Sequence, residues 1–157
     1  MGVGPSGKET TKHYYKDPIL EVVTEDTDVN LRGVVIAGCP DSNEDKMRTA
    51  QRVGILMEAM NVDGAIFTCV GYGNNSVDFA QAVAETEQRG IPVAALSMVS
   101  ASEMVVHNKY LDDSILCSYK PRNGEENGTE TNMLAENTVD RTDAEKALAL
   151  LKLKMRK

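Results

Sequence analysis

Apolar residues in the middle of the chain form three short continuous runs: residues 31–38 (LRGVVIAG), 63–70 (DGAIFTCV) and 91–98 (IPVAALSM). Short apolar runs of this kind are typical of strands that are buried on both faces. Between the runs, apolar side chains recur every three or four residues, first from Met47 to Met60 and then from Val77 to Ala84. This spacing predicts two amphipathic helices.

Residues typical of helix ends agree with this alternation of strands and helices. Ser42, followed by Asp45, resembles a capping box at the start of the first helix. Gly90 and Pro92 end the second helix, which we expect to run from Ser76 to Arg89. Strands that alternate with helices pair in parallel through right-handed crossovers. The sequence therefore predicts an α/β fold with three layers: a mainly parallel sheet of three to five strands with flanking helices.

The flanking segments complete one domain over residues 1–157. Residues 1–30 form an N-terminal arm, within which residues 18–23 suit either a helical turn or an edge strand. The sequence predicts a further strand or a short helix within residues 103–119. It predicts a polar loop over residues 118–141. A capping box over residues 142–145 then opens a C-terminal helix over residues 142–157.

Charge and composition exclude several classes of function. The net charge of −7 argues against a nucleic-acid partner, because phosphate binding needs a basic surface. No apolar run approaches the roughly 18 residues of a membrane span, and none is typical of a signal peptide. The three cysteines form no close pair, which indicates reduced thiols and a cytoplasmic protein.

Motifs for nucleotide hydrolysis and for metal binding are incomplete. Residues 2–8 match the start of a phosphate-binding loop, but Glu9 stands where that loop needs a hydroxyl group to hold magnesium. His13 and His107 lie at no ligand spacing from each other, from an acid or from a cysteine. We expect no metal site.

The candidate binding residues lie where the predicted strands end. Ligands of open parallel sheets bind beyond the carboxyl ends of the strands. The candidates there are Cys39, Asp41, Cys69, Tyr72, Asn74, Asn75 and Asp78. Each has a simpler interpretation as well: residues 71–75 suit a tight turn, Asp78 suits a helix cap, and the two cysteines suit small buried apolar residues. Cys117 is predicted to be structural.

The same strand ends resemble a known family. The segments DGAI (63–66), GYGNN (71–75), VDF (77–79), RGIPV (89–93), NKY (108–110) and ALALLKLKM (147–155) occur in this order. They resemble the C-terminal part of the pyruvoyl-bearing subunit in the family of D-proline reductase and of component B of glycine, sarcosine and betaine reductases, known from Clostridia. The opening residues 2–11 and residues 17–26 are most similar to the proline reductase branch, and the chain resembles a short paralogue from that cluster.

The resemblance implies an oxidoreductase subunit of amino-acid fermentation. Such enzymes open D-proline to 5-aminovalerate or cleave the C–N bond of glycine-type substrates, using a pyruvoyl group and a partner's selenocysteine. The pyruvoyl-forming cysteine is expected upstream of the matched region, so both groups are expected on partner subunits and no cofactor in this chain. Val70 and Ser76 stand where the family pattern has an acid and a histidine. We therefore expect an accessory subunit that associates with other reductase subunits or with itself, binds a small amino acid and does not catalyse independently.

Three alternatives remain open at this stage. The first is a sensor or regulatory module that binds an amino acid without chemistry. The second is a small thiol reductase that uses Cys39 and Cys69, and the third is a structural scaffold with no pocket. An activated thiol would favour the thiol reductase. The absence of a pocket, together with a large apolar interface, would favour the scaffold.

Overall fold

The computed structural model describes residues 17–117 and 139–156. Its elements are α1 (Pro18–Glu25), α2 (Asn43–Ala59), β1 (Ala65–Cys69), α3 (Asn75–Glu87), β2 (Val93–Ser97), β3 (Ile115–Leu116) and α4 (Arg141–Met155), with short 3₁₀ turns at Ala101–Glu103 and Lys109–Leu111. The three strands form one parallel sheet in the order β1-β2-β3. This confirms the predicted α/β class with a parallel sheet and flanking helices.

Three of the described helices, α1, α2 and α4, begin where a short polar side chain accepts a hydrogen bond from a free backbone N–H group. Ser42 Oγ accepts from the Asp45 N–H at 3.2 Å, as the sequence predicted for α2. Asp140 Oδ1 accepts from the Asp143 N–H at 2.8 Å at the start of α4. The predicted capping box over residues 142–145 is therefore wrong, because the helix begins one residue earlier, at Arg141, with Asp140 as its cap.

The sheet lies between two helical layers. On one face, α2 and α3 pack against each other and against Ala65 and Phe67 of β1. On the other face, α1 and α4 pack on Leu96 of β2 and on Ile66 of β1. All five residues of β2 are buried, as expected for the middle strand of a parallel sheet with both faces covered.

Residues 31–38, predicted as the first strand, form no strand in this structure. Within the described chain none of their backbone groups hydrogen bonds to another backbone group, so the ladder that defines a strand is not made. Residues of this segment and of β1 line the same cavity. We call residues 31–38 the strap.

The remaining predictions concern the ends of the chain. Residues 18–23 belong to helix α1, which settles the choice between a helical turn and an edge strand. Of the segment 103–119, the described residues up to 117 contain the 3₁₀ turn Lys109–Leu111 and the short strand β3, which confirms the predicted further strand. Residues 1–16 of the N-terminal arm and 118–138 of the polar loop lie outside the described residues.

A single glycine sets the distance between α2 and α3. A Cβ atom at Gly54 of α2 would lie 2.7 Å from Arg89 Nη1 and 2.9 Å from the backbone oxygen of Glu85. Real Cβ atoms do not approach a backbone oxygen so closely, so the two helices would have to separate.

We therefore expect Gly54→Ala to destabilise the protein. Alanine in a helix normally gains about 1 kcal/mol over glycine. Here overpacking costs about 1–3 kcal/mol, so the free energy of unfolding should fall. Urea titration monitored by circular dichroism measures the change, with Arg52→Ala at an exposed position of α2 as the control. A Gly54→Ala protein more stable than the parent would contradict the close packing.

Candidate functional site

A cavity of about 710 Å³ lies between the strap and β1. Its volume is in the range of small-molecule binding sites. Most of its wall is apolar and comes from both helical layers. The polar side chains that line the cavity include five near the end of the strap and on β1, α2 and α3. These five are Cys39, which follows the strap, Lys46 of α2, Cys69 of β1, and Asn75 and Asp78 of α3. We call these five residues the polar cluster.

The structure brings together four of the seven candidates named from the sequence. Cys39, Cys69, Asn75 and Asp78 line the cavity. The other three, Asp41, Tyr72 and Asn74, are exposed and do not line it.

The centre of the polar cluster is a buried ion pair between two helices. Lys46 Nζ lies 2.7 Å from Asp78 Oδ2, and Lys46 is only 1% exposed. Asp78 is 8% exposed, and its other carboxylate oxygen, Oδ1, is buried without a hydrogen-bond partner among the described residues. A buried acceptor without a donor is costly and is uncommon in folded proteins. This oxygen is therefore the atom of the cluster most in need of a hydrogen-bond donor.

The ion pair overturns the interpretation of Asp78 as a helix cap. Asn74 is the N-cap of α3 and makes no side-chain capping bond, and Asp78 bonds to Lys46 in α2 instead.

Sequence reasoning missed Lys46. One signal was available, because Lys46 precedes Ala50, Val53 and Met57 at spacings of four, seven and eleven residues. These positions share one face of a helix, so the lysine lies on the buried stripe of α2. A lysine is almost never fully buried unless it is paired, so its position predicts an acidic partner across the core.

The thiols of the cluster are not activated. The pKa of Cys69 is raised to about 11, chiefly by burial, because the lowering effect of the Gly71 N–H is smaller and the nearby Cys39 and Asp78 add to the rise. Burial and then the negative charge of Asp78 also raise the pKa of Cys39, while Lys46 opposes them. Because the thiolate is the nucleophile, both cysteines are poor nucleophiles near neutral pH.

The turn after β1 fixes Asn75 next to Cys69. Gly71 has a φ of +83°, a conformation that favours glycine, and its N–H donates to Cys69 Sγ at 3.2 Å. The Cys69 thiol in turn lies 3.6 Å from Asn75 Oδ1. The side chain of Asn75 is thereby held at the opening of α3, with its amide group beside the cavity.

Within residues 17–117 and 139–156, no group of three histidine, cysteine, aspartate or glutamate side chains could hold a metal ion. His107 instead lies 2.9 Å from Asp112, and His13 is outside the described residues. None of the described helices is long and apolar enough to cross a membrane.

Comparison with known proteins identifies the family. Residues 2–104 match the model of the glycine/sarcosine/betaine reductase component B subunits. The chain belongs to this family. The resemblance stated from the sequence is thus confirmed.

Two curated relatives place the chain within this family. It is 38% identical over 151 residues to the D-proline reductase proprotein PrdA of Acetoanaerobium sticklandii, which covers 96% of the chain. It is 31% identical over 97 residues to the sarcosine reductase complex component B subunit alpha of Peptoclostridium acidaminophilum, covering 60% of the chain. The chain spans about a quarter (23%) of each relative, which is consistent with the expected match to one part of a longer protein. No solved structure matches the chain significantly.

Proposed function

We propose that this family member is a subunit or accessory protein in the reductive cleavage of an amino acid, with D-proline, which is opened to 5-aminovalerate, as the first candidate. In this proposal the chain holds the amino acid at the polar cluster and does not catalyse the reaction independently. The observation that supports it best is the buried carboxylate of Asp78, which pairs with Lys46 through one oxygen, while its other oxygen makes no geometrically defined hydrogen bond among the described residues.

The polar cluster has the charges that an amino-acid zwitterion requires. The ammonium group of a ligand can donate to the unpaired oxygen of Asp78. Lys46 has three N–H donors, and those that Asp78 does not use are suited to a carboxylate. The amide of Asn75 adds a neutral donor and acceptor at the same edge of the cavity. Such complementary polar groups fix the orientation of a small ligand, and the apolar wall contacts its ring.

Cys69 and Cys117 do not suit a pyruvoyl centre. A pyruvoyl group forms when the chain is cut before a cysteine, which requires a nucleophilic thiol at that position. Burial raises the pKa of Cys69 to about 11 and that of Cys117 to about 12, and both lie in or beside paired strands. Within the proposal, the pyruvoyl group and the selenocysteine therefore belong to partner subunits.

Family membership supports a partner of the same kind. One relative is named as a component of a sarcosine reductase complex, and the other as a proline reductase proprotein. Other reductase subunits, or a second copy of this chain, are thus the partners that we propose.

Thermal melting of the purified chain with D-proline, L-proline, glycine or 5-aminovalerate tests the binding. A ligand present at 100 times its Kd adds about 2.7 kcal/mol of stability, and we expect this to raise the Tm by roughly 5–10 °C for a domain of this size. We expect the largest shift with D-proline. The absence of a shift with all four compounds would contradict the proposal and favour a scaffold.

Paired variants locate the binding site. Asn75→Ala and Asp78→Asn should lose most of the ligand-induced shift, each measured against its own melting temperature without ligand. Asp41→Asn is the control, because Asp41 is a strand-end acid that lies outside the cavity. An equal loss in all three variants would show that the polar cluster is not the site.

The sensor remains the second candidate, and the raised thiol pKa values are compatible with it because they argue against chemistry in this chain. They also weigh against the thiol reductase. Size-exclusion chromatography with purified D-proline reductase subunits separates the first two functions, since an accessory subunit should co-elute with them and an independent sensor should not.

A further inference from the structure

The strap has the composition of a strand but lacks the backbone hydrogen bonds of one within the described chain. Val34 and Ile36 are 53% and 72% exposed, although both are β-branched and apolar. Val35, between them, is half-buried and packs against the apolar cluster that includes Val53 and Met57 of α2. Side chains of a strand alternate between two faces, and the exposure of residues 34–36 follows this alternation.

The free edge of β1 lies along the same cavity. Within the part of the chain that the structure describes, β1 pairs with β2 on one side only, and all five of its residues are half-buried. Residues of the strap and of β1, among them Ile66 and Thr68, line the two sides of the cavity. An open strand edge presents a row of unpaired N–H and C=O groups, which is a template for another strand.

The handedness of the fold assigns this edge to the strap. β1 continues through α3 to β2, and α3 lies on the same face of the sheet as α2. Right-handed crossovers place consecutive helices on one face only when the strands advance in one direction across the sheet. The segment that precedes α2 therefore belongs beside β1, on the side away from β2.

Pairing with β1 would also bury the exposed side chains of Val34 and Ile36. If Val35 faces α2, alternation turns Val34 and Ile36 to the opposite face of the sheet. That face is formed by α1 and α4, whose Val23, Leu148 and Leu151 line the cavity. Pairing would thus remove the apolar side chains of the strap from water.

From these observations we propose that the strap closes onto β1 as a fourth parallel strand, giving the sheet order strap-β1-β2-β3. Closure fills the cavity beside β1 and carries Cys39, which follows the strap, to the carboxyl end of β1 near Cys69. The polar cluster is then enclosed by the chain's own strap. Closure takes up much of the cavity that the proposed function assigns to an amino acid, so the strap is tested on the chain without added ligand.

Hydrogen exchange on the full chain, followed by mass spectrometry, tests the closure. We expect the backbone amides of residues 33–37 to exchange at least about tenfold more slowly than those of an unstructured peptide, because pairing with β1 protects them. Exchange at the unprotected rate would overturn the proposal. Protection that appears only together with a dimer, at rising protein concentration, would also overturn it, because a second copy would then be the strand that pairs.

A matched pair of isoleucines gives an independent readout. Ile36 in the strap is 72% exposed, and Ile55 on α2 is 53% exposed. If the strap closes, Ile36→Ser should lower the Tm by several degrees, whereas Ile55→Ser should leave it nearly unchanged. Equal and small effects would indicate that the strap stays open. The exchange measurement on the parent chain remains decisive if the Ile36→Ser protein does not fold.

Discussion

Replacing Lys46 with methionine is expected to lower the free energy of unfolding by about 3–5 kcal/mol, because it leaves the carboxylate of Asp78 buried without a counter-charge. The two groups are 2.7 Å apart, and the lysine is almost completely enclosed. Methionine keeps much of the length of the side chain and removes only the charge and its hydrogen bonds. Urea or guanidinium unfolding, read as a change in midpoint at unchanged slope, measures the loss.

Two further variants separate the buried pair from general effects on α2. Arg48→Met changes a cation two residues further along the same helix, where Arg48 is 59% exposed and pairs with the exposed Glu44. It should cost less than about 1 kcal/mol. The double variant Lys46→Met/Asp78→Ala should lose less than the sum of its two single variants, by about 0.5–3 kcal/mol. Additive losses would mean that the two side chains do not interact in solution.

The contrast between Lys46 and Asp78 shows what the sequence could predict of the site. Asp78 and Asn75 follow a recognisable strand, turn and helix, so the topological rule for parallel sheets placed them near a ligand. Lys46 lies four residues into α2, far along the chain from the strand end, and its burial depends on how closely α2 packs on α3. That distance depends on Gly54, whose role is visible only when both helices are in place.

The fold was more predictable than the site because local periodicity determines most of its elements. The runs that became β1 and β2 and the two amphipathic helices were all recognised from apolar spacing. The strap has the same spacing and yet is unpaired, since pairing requires the edge of β1 to be reached by a segment distant in the sequence. The composition of the strap does not show whether it reaches the edge of β1. Likewise, the exposure of Asp41, Tyr72 and Asn74 follows from the path of each turn and not from its residue types.

The central strand carries the second large expected effect. Leu96 is completely buried in β2, where it is paired with Thr68 of β1 on one side and with Ile115 of β3 on the other. Its side chain packs against α1 and α4. Leu96→Ala should lower the free energy of unfolding by about 2–5 kcal/mol, from lost apolar burial and from the cavity that remains. The same denaturant titration measures it.

A leucine in the neighbouring strand provides the control for Leu96. Leu116 of β3 is 53% exposed, so Leu116→Ala should change the free energy of unfolding by about 0.5 kcal/mol or less. The difference between the two variants isolates burial from strand propensity, because both replace leucine with alanine in paired strands. A loss below about 1 kcal/mol for Leu96→Ala would mean that α1 and α4 do not pack tightly on the sheet. The proposed burial of Val34 and Ile36 under these two helices would then lose its physical basis, since the strap would gain little by closing.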